Sequence, residues 1–164
     1  MNQTAGQKKE PTPTEQAKER LNAFRDFQRG LDYKIERINM MEQQLQSVGA
    51  GSLDGMPRAP GYEGDRMAEK IARLVDLKKE LEDDIAEERR RYAEIKAIAD
   101  GMKHADERTV IQLRYLDGAK WPTVSAALYG HRDDFGEKAD YYLRQTFRKH
   151  GTALQSFAEQ MTLK

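Results

Sequence analysis

From Leu21 to Leu45 the apolar residues recur at alternating steps of three and four. Phe24, Leu31, Ile38 and Leu45 stand seven apart, and Leu21 and Ile35 share a neighbouring stripe whose other members, Gln28 and Glu42, are polar. An interrupted heptad rhythm of this kind predicts one long helix ending near Val48. The rhythm returns in Met67, Ile71, Leu74, Leu81, Ile85, Tyr92, Ile95, Ala99 and Met102, with Lys78 and Glu88 as polar intruders. That second helix would be about 58 Å long at 1.5 Å per residue. Between the two, residues 49–65 hold five glycines and two prolines, enough to end one helix and turn the chain, with Asp65 placed to cap the next. The pattern predicts a long antiparallel coiled-coil hairpin over residues 15–103 with its loop at 49–64. Residues 1–14, polar and closing on "PTPT", read as a disordered tail that stops where Thr12 or Thr14 can cap a helix. Lys78 and Glu88, at core positions, would cost stability while fixing register or oligomeric state.

Gly101 interrupts the second helix, and the rhythm changes after it. "DERTVIQLRYLDG" predicts a short helix with Val110, Leu113 and Leu116 inward, stopped by Gly118. "WPTVSAALYG" predicts another, with Pro122 in its first turn, Val124, Ala127 and Leu128 inward, and Gly130 at its end. After the connection "HRDDFGEK" comes a third helix containing "KADYYLRQTFRKHG". On a helical projection Leu143, Phe147 and Leu154 fall on one side. Lys138, Tyr141, Tyr142, Gln145, Arg148, Lys149 and Thr152 fall on the other, with no acidic residue among them. Three short helices ending in a basic amphipathic one form the pattern of a helix-turn-helix DNA-binding domain over residues 104–164, although "HRDDFGEK" is longer than the usual turn. Arg148 and Lys149 suit phosphates, Arg144 and Gln145 have the reach for base edges, and Tyr141 and Tyr142 suit sugar or phosphate, with Lys138 and Thr152 completing the candidate DNA-binding set. The expected fold is all-α, a coiled-coil hairpin followed by this domain.

Composition narrows the function classes. The chain of 164 residues is 38% hydrophobic and 34% charged, which suits long exposed helices better than one thick core. It has no Cys, so disulfides, zinc–thiolate sites and thiol chemistry are excluded. No run of about 18 apolar residues exists and the start lacks the apolar segment of a signal peptide, so a cytoplasmic protein without membrane contact is expected. Net charge is zero, which argues against a uniformly basic coat. The asymmetry is local: from Tyr141 to Lys164 there are Arg144, Arg148, Lys149 and Lys164 against Glu159 alone. The charged run "KKELEDDIAEERRR" lies mostly off the apolar stripe and reads as a solvated face. His104, His131 and His150 have no metal-ligand spacing, and no Gly-rich phosphate loop with a following Lys-Ser or Lys-Thr is present. No catalytic residue, metal or cofactor is expected.

"ERTVIQLRYLDGAKWPTVSAALYG" resembles the opening of the sigma-factor region-four type of helix-turn-helix. With a long coiled-coil segment and "SLDGMPRA" at Ser52–Ala59, residues 20–160 look like the phage and prophage transcription regulators of the ArpU and RinA type. The resemblance implies a DNA-binding activator of phage late or packaging genes, and "HRDDFGEKADYY" departs from the pattern. In the loop, Gly55 and Pro57 suit a fixed turn, and Met56 and Arg58 are candidates for touching a partner such as RNA polymerase. Two other classes fit the same pattern: a small terminase-like packaging protein, and a coiled-coil adaptor that binds only protein. Leu77, Val75, Ile98 and Phe27 flank the predicted seam without cover, so a homodimer is expected.

Overall fold

The computed structural model describes residues 10–50 and 62–163. They form five helices: α1 Pro13–Ala50, α2 Tyr62–Asp100, α3 Ala105–Ile111, α4 Trp121–Tyr129 and α5 Ala139–Thr162, with a π-helical turn Gln112–Leu116 running on from α3. Among the described residues there is no strand, and no helix is long and apolar enough to cross a membrane. Met56 and Arg58 lie outside the described residues.

Thr12 caps α1 reciprocally. The Glu15 amide donates to Thr12 Oγ1 at 3.2 Å, and the Thr12 amide donates to Glu15 Oε2 at 2.7 Å. These bonds hold the Glu15 carboxyl below its usual range, the Thr12 backbone bond contributing most. α2 begins at Tyr62, so Asp65 sits inside the helix and does not cap it.

Two compact units are present: the described residues within Asp26–Arg90 form one, and those within Met1–Arg25 and Arg91–Lys164 form the other. In the first, α1 and α2 pack together along the predicted seam. Leu31 and Ile38 are buried, while Leu45, Leu74, Leu81 and Ile85 are half-buried. The polar intruders find one another across the helices. Gln28 Nε2 donates to Glu88 Oε1 at 3.1 Å, and Lys78 pairs with Glu42. Lys34 reaches Glu80 at 3.4 Å and also bonds Asp84. Partner numbers on α2 fall as those on α1 rise, which makes the pair antiparallel. Solvent-exposed pairs of this kind contribute about 0–1 kcal/mol each. Their consequence is register, because a slip of one heptad would set Gln28 against Leu81 or Ile95 and Glu42 against Ile71 or Ile85. Two helices alone do not close the seam: Ile35 and Ile71, both on the stripe, remain 39% and 47% exposed.

In the second unit the first turns of α1 and the last turns of α2 pack against α3, α4 and α5. Leu21 and Phe24 join Ile95, Ile98 and Ala99, and these meet Val110, Ile111, Val124, Leu154 and Phe157 in one cluster. Ile98, expected to flank the seam uncovered, is 5% exposed and belongs to this cluster, because α3 to α5 supply the cover. Arg20 and Glu94 pair at 3.0 Å beside it, and the Phe24 and Tyr92 rings lie 6.4 Å apart. The compact unit is therefore larger than residues 104–164.

His150 sits at the edge of this core. Its Nε2 lies 2.8 Å from the Tyr115 hydroxyl, and its ring stands edge-on to Trp121 at 4.8 Å. Burial, and then the positive charges of Lys18 and Arg114, push its pKa down to about 4. The unfolded chain takes up this proton near pH 6.5 and the folded chain only near 4, so His150's contribution is complete above pH 6.5 and is lost as pH falls through that window. Between pH 7 and pH 5 the loss is at most about 2 kcal/mol, lessened by the solvent that still reaches the ring. Urea midpoints at the two pH values should therefore diverge less in His150→Phe than in the wild type. Equal divergence in both would contradict this assignment.

Candidate nucleic-acid interface

Gly118, with φ +67°, takes the left-handed conformation after the π-helical turn and lets the chain reverse into α4. Arg114 braces this corner by donating to the Ala119 carbonyl at 2.9 Å, with its guanidinium 4.6 Å from the Trp121 ring centre. In α4, Val124 and Ser125 are buried and Leu128 is half-buried. Ala127, expected inward, is exposed, because the short helix turns its Val124–Ser125 edge to the core.

The nine residues between α4 and α5 are a run of linked turns. The amides of Arg132, Phe135 and Lys138 donate to the carbonyls of Tyr129, Arg132 and Asp134. Side chains lock this run to α5: Asp134 accepts from the Tyr142 hydroxyl at 2.7 Å and from Lys138 Nζ at 2.8 Å. Phe135 and Tyr129 stand 5.7 and 5.1 Å from the Tyr142 ring. The bonds from Lys138 and Tyr142 hold the Asp134 carboxyl below its ordinary range and raise the pKa of both partners. The long connection thus fixes the first turn of α5.

This arrangement corrects the predicted faces of α5. Its buried side carries Tyr142, Thr146, Ala153, Leu154, Phe157 and Ala158. Of the three residues expected inward, only Leu154 is buried. Leu143 is half-buried, and Phe147 is 45% exposed, edge-on to Trp121 at 5.0 Å. Tyr142, expected to face outward toward DNA, is 5% exposed: its ring has aromatic neighbours and its hydroxyl an acidic partner. Thr146 tolerates burial by donating to the Tyr142 carbonyl at 2.9 Å. Lys149 is half-buried with Nζ 3.9 Å from Asp106, and Lys138 is engaged by Asp134.

The rest of the predicted set stays together. Tyr141, Arg144, Arg148 and Thr152 are exposed along one side of α5, with Gln145 half-buried beside them. Neither arginine makes an ion pair among the described residues, and no carboxylate occurs between Tyr141 and Ala158. Arg144 and Arg148 lie one turn apart, so their guanidinium groups can hold successive phosphates or one phosphate and a base edge. Gln155, seven residues beyond Arg148, extends the same exposed side. It was missed because it falls past the quoted stretch, although the seven-residue spacing marks it. Among the described residues no three His, Asp or Glu side chains gather as a metal site. Comparison with protein-family models, curated proteins and solved structures finds no match for this chain.

Proposed function

We propose that this protein is a sequence-specific DNA-binding transcription regulator in which α3, α4 and α5 act as a helix-turn-helix and α5 is the reading helix. The observation that carries the proposal is the exposed side of α5 from Tyr141 to Gln155, which offers two arginines unpaired among the described residues, amide and hydroxyl donors, and no carboxylate between Asp140 at its start and Glu159 near its end. A face evolved only for solvation on a chain with 28 acidic residues would be expected to mix signs, as α1 and α2 do. In this reading Arg148 and Thr152 take phosphates, Arg144 and Gln145 approach base edges, and Tyr141 lies against the sugar–phosphate backbone. The phage or prophage setting, activation of late genes and contact with RNA polymerase rest on the sequence resemblance. In the same proposal α1 and α2 form a coiled-coil hairpin that pairs copies or engages the transcription machinery.

The test is to pass random and phage-derived duplexes over the full chain and sequence those retained. Enrichment of one motif is expected, and retention independent of sequence at low salt, or none, would refute the reading. On the enriched site, Gln145→Ala should lower discrimination against mismatched bases by about 1–3 kcal/mol while leaving binding to random DNA nearly unchanged. Equal losses on both would remove Gln145 from the reading set.

A further inference from the structure

α2 carries a second seven-residue seam, one position out of phase with the stripe that faces α1. Lys70, Arg73, Leu77, Glu80 and Asp84 follow one another at steps of three and four, so they share one flank of the helix. The charges on this flank are mirror-arranged about Leu77. Lys70 stands seven residues before it and Asp84 seven after, with Arg73 and Glu80 four before and three after. Lys70 and Arg73 are exposed and make no ion pair among the described residues. Glu80 and Asp84 share the single ammonium of Lys34, so the far end of the flank keeps a net negative charge. Lys70 and Arg73 also line an open groove of about 250 Å³ together with Arg37, whose apolar walls are Met41 and Leu45.

We propose that this flank is an isologous interface through which two copies of the chain associate antiparallel. A two-fold axis at Leu77 sets Lys70 against Asp84 of the second copy, Arg73 against Glu80 of the second copy, and the two Leu77 side chains together. Each ion pair occurs twice and the Leu77 contact once, on the axis, as a two-fold interface requires. The matched flanks run about 21 Å along α2, from the 1.5 Å rise per residue. Side-by-side packing makes a four-helix layer that also shelters the half-buried Leu77 and the apolar walls of the groove. An unrelated acidic partner would account for the cationic end alone. The mirror order of cations, leucine and carboxylates on one helix is what a second copy requires. This inference does not depend on DNA binding.

Charge reversal tests it in the full chain, with mass measured by light scattering at roughly 50 μM, a concentration that detects dimers of micromolar affinity. The wild type should show twice the 18.9 kDa chain mass. Lys70→Glu with Arg73→Glu sets like charges opposite one another at every contact and should give a monomer. Glu80→Lys with Asp84→Lys, combined with Lys34→Glu to keep the pairing within the chain, should do the same. Mixed in equal amounts, the two variants present opposite charges at all four contacts, so the dimer mass should return. That recovery cannot come from misfolded chains. A monomeric wild type, a dimer in either reversed variant, or a mixture that stays monomeric would overturn the proposal.

Discussion

Residues 104–164 expressed alone are expected to remain unfolded, with little far-ultraviolet helicity and no cooperative transition in urea. Their helices bury Val110, Ile111, Leu154 and Phe157 against Leu21 and Phe24 of α1 and Ile95 and Ile98 of α2. Excision removes those four partners at once. Truncating one large buried side chain costs about 2–5 kcal/mol. Four such losses, about 8–20 kcal/mol together, are as large as the roughly 5–15 kcal/mol that holds a domain together. Joining residues 10–25 to 91–163 through a flexible linker restores the missing wall, and that chain should fold. The junction is short, since Phe24 meets Tyr92 and Arg20 meets Glu94. A cooperatively folded 104–164 fragment would show that the α1 and α2 turns are dispensable cover.

The long helices were legible because a heptad stripe repeats the same signal over many turns. Leu31 and Ile38 fell where the spacing put them. The polar interruptions were legible as anomalies, but their partners were not. Pairing Gln28 with Glu88 and Lys78 with Glu42 requires the register between the helices, which neither helix carries alone. The compact unit around α5 was misjudged for a related reason. Gly101 does end α2, yet a helix end is a break in hydrogen bonding and need not separate two cores. On α5 the error was in polarity. Tyr142 and Thr146 count as polar in a projection, but one rests its ring on Phe135 and gives its hydroxyl to Asp134, and the other bonds its own helix. Phe147 counts as apolar, yet it needs only the edge of Trp121 and stays half in solvent. The exposed arginines survived the rotation of the face because a guanidinium at Arg144 or Arg148 has no comparable partner inside.

Replacing Arg144 and Arg148 together by alanine should cost the full-length protein about 10- to 100-fold in affinity for its enriched DNA site and reduce the slope of log affinity against log salt by about one, from the phosphate contact of Arg148. Both residues are exposed and unpaired among the described residues, so the substitution leaves no buried group without a partner, and the thermal midpoint should stay close to that of the wild type. The loss on DNA then reports the interface and not the fold. Lys149→Ala provides the contrast. Its ammonium lies near Asp106 and its chain is half-buried, so it should change the salt slope by less than Arg148 does. The same ordering distinguishes a helix lying against phosphates from a general cationic attraction, because a diffuse field would weight the three cations alike. Binding and salt slope unchanged in the double arginine variant would remove α5 as the DNA-contacting helix.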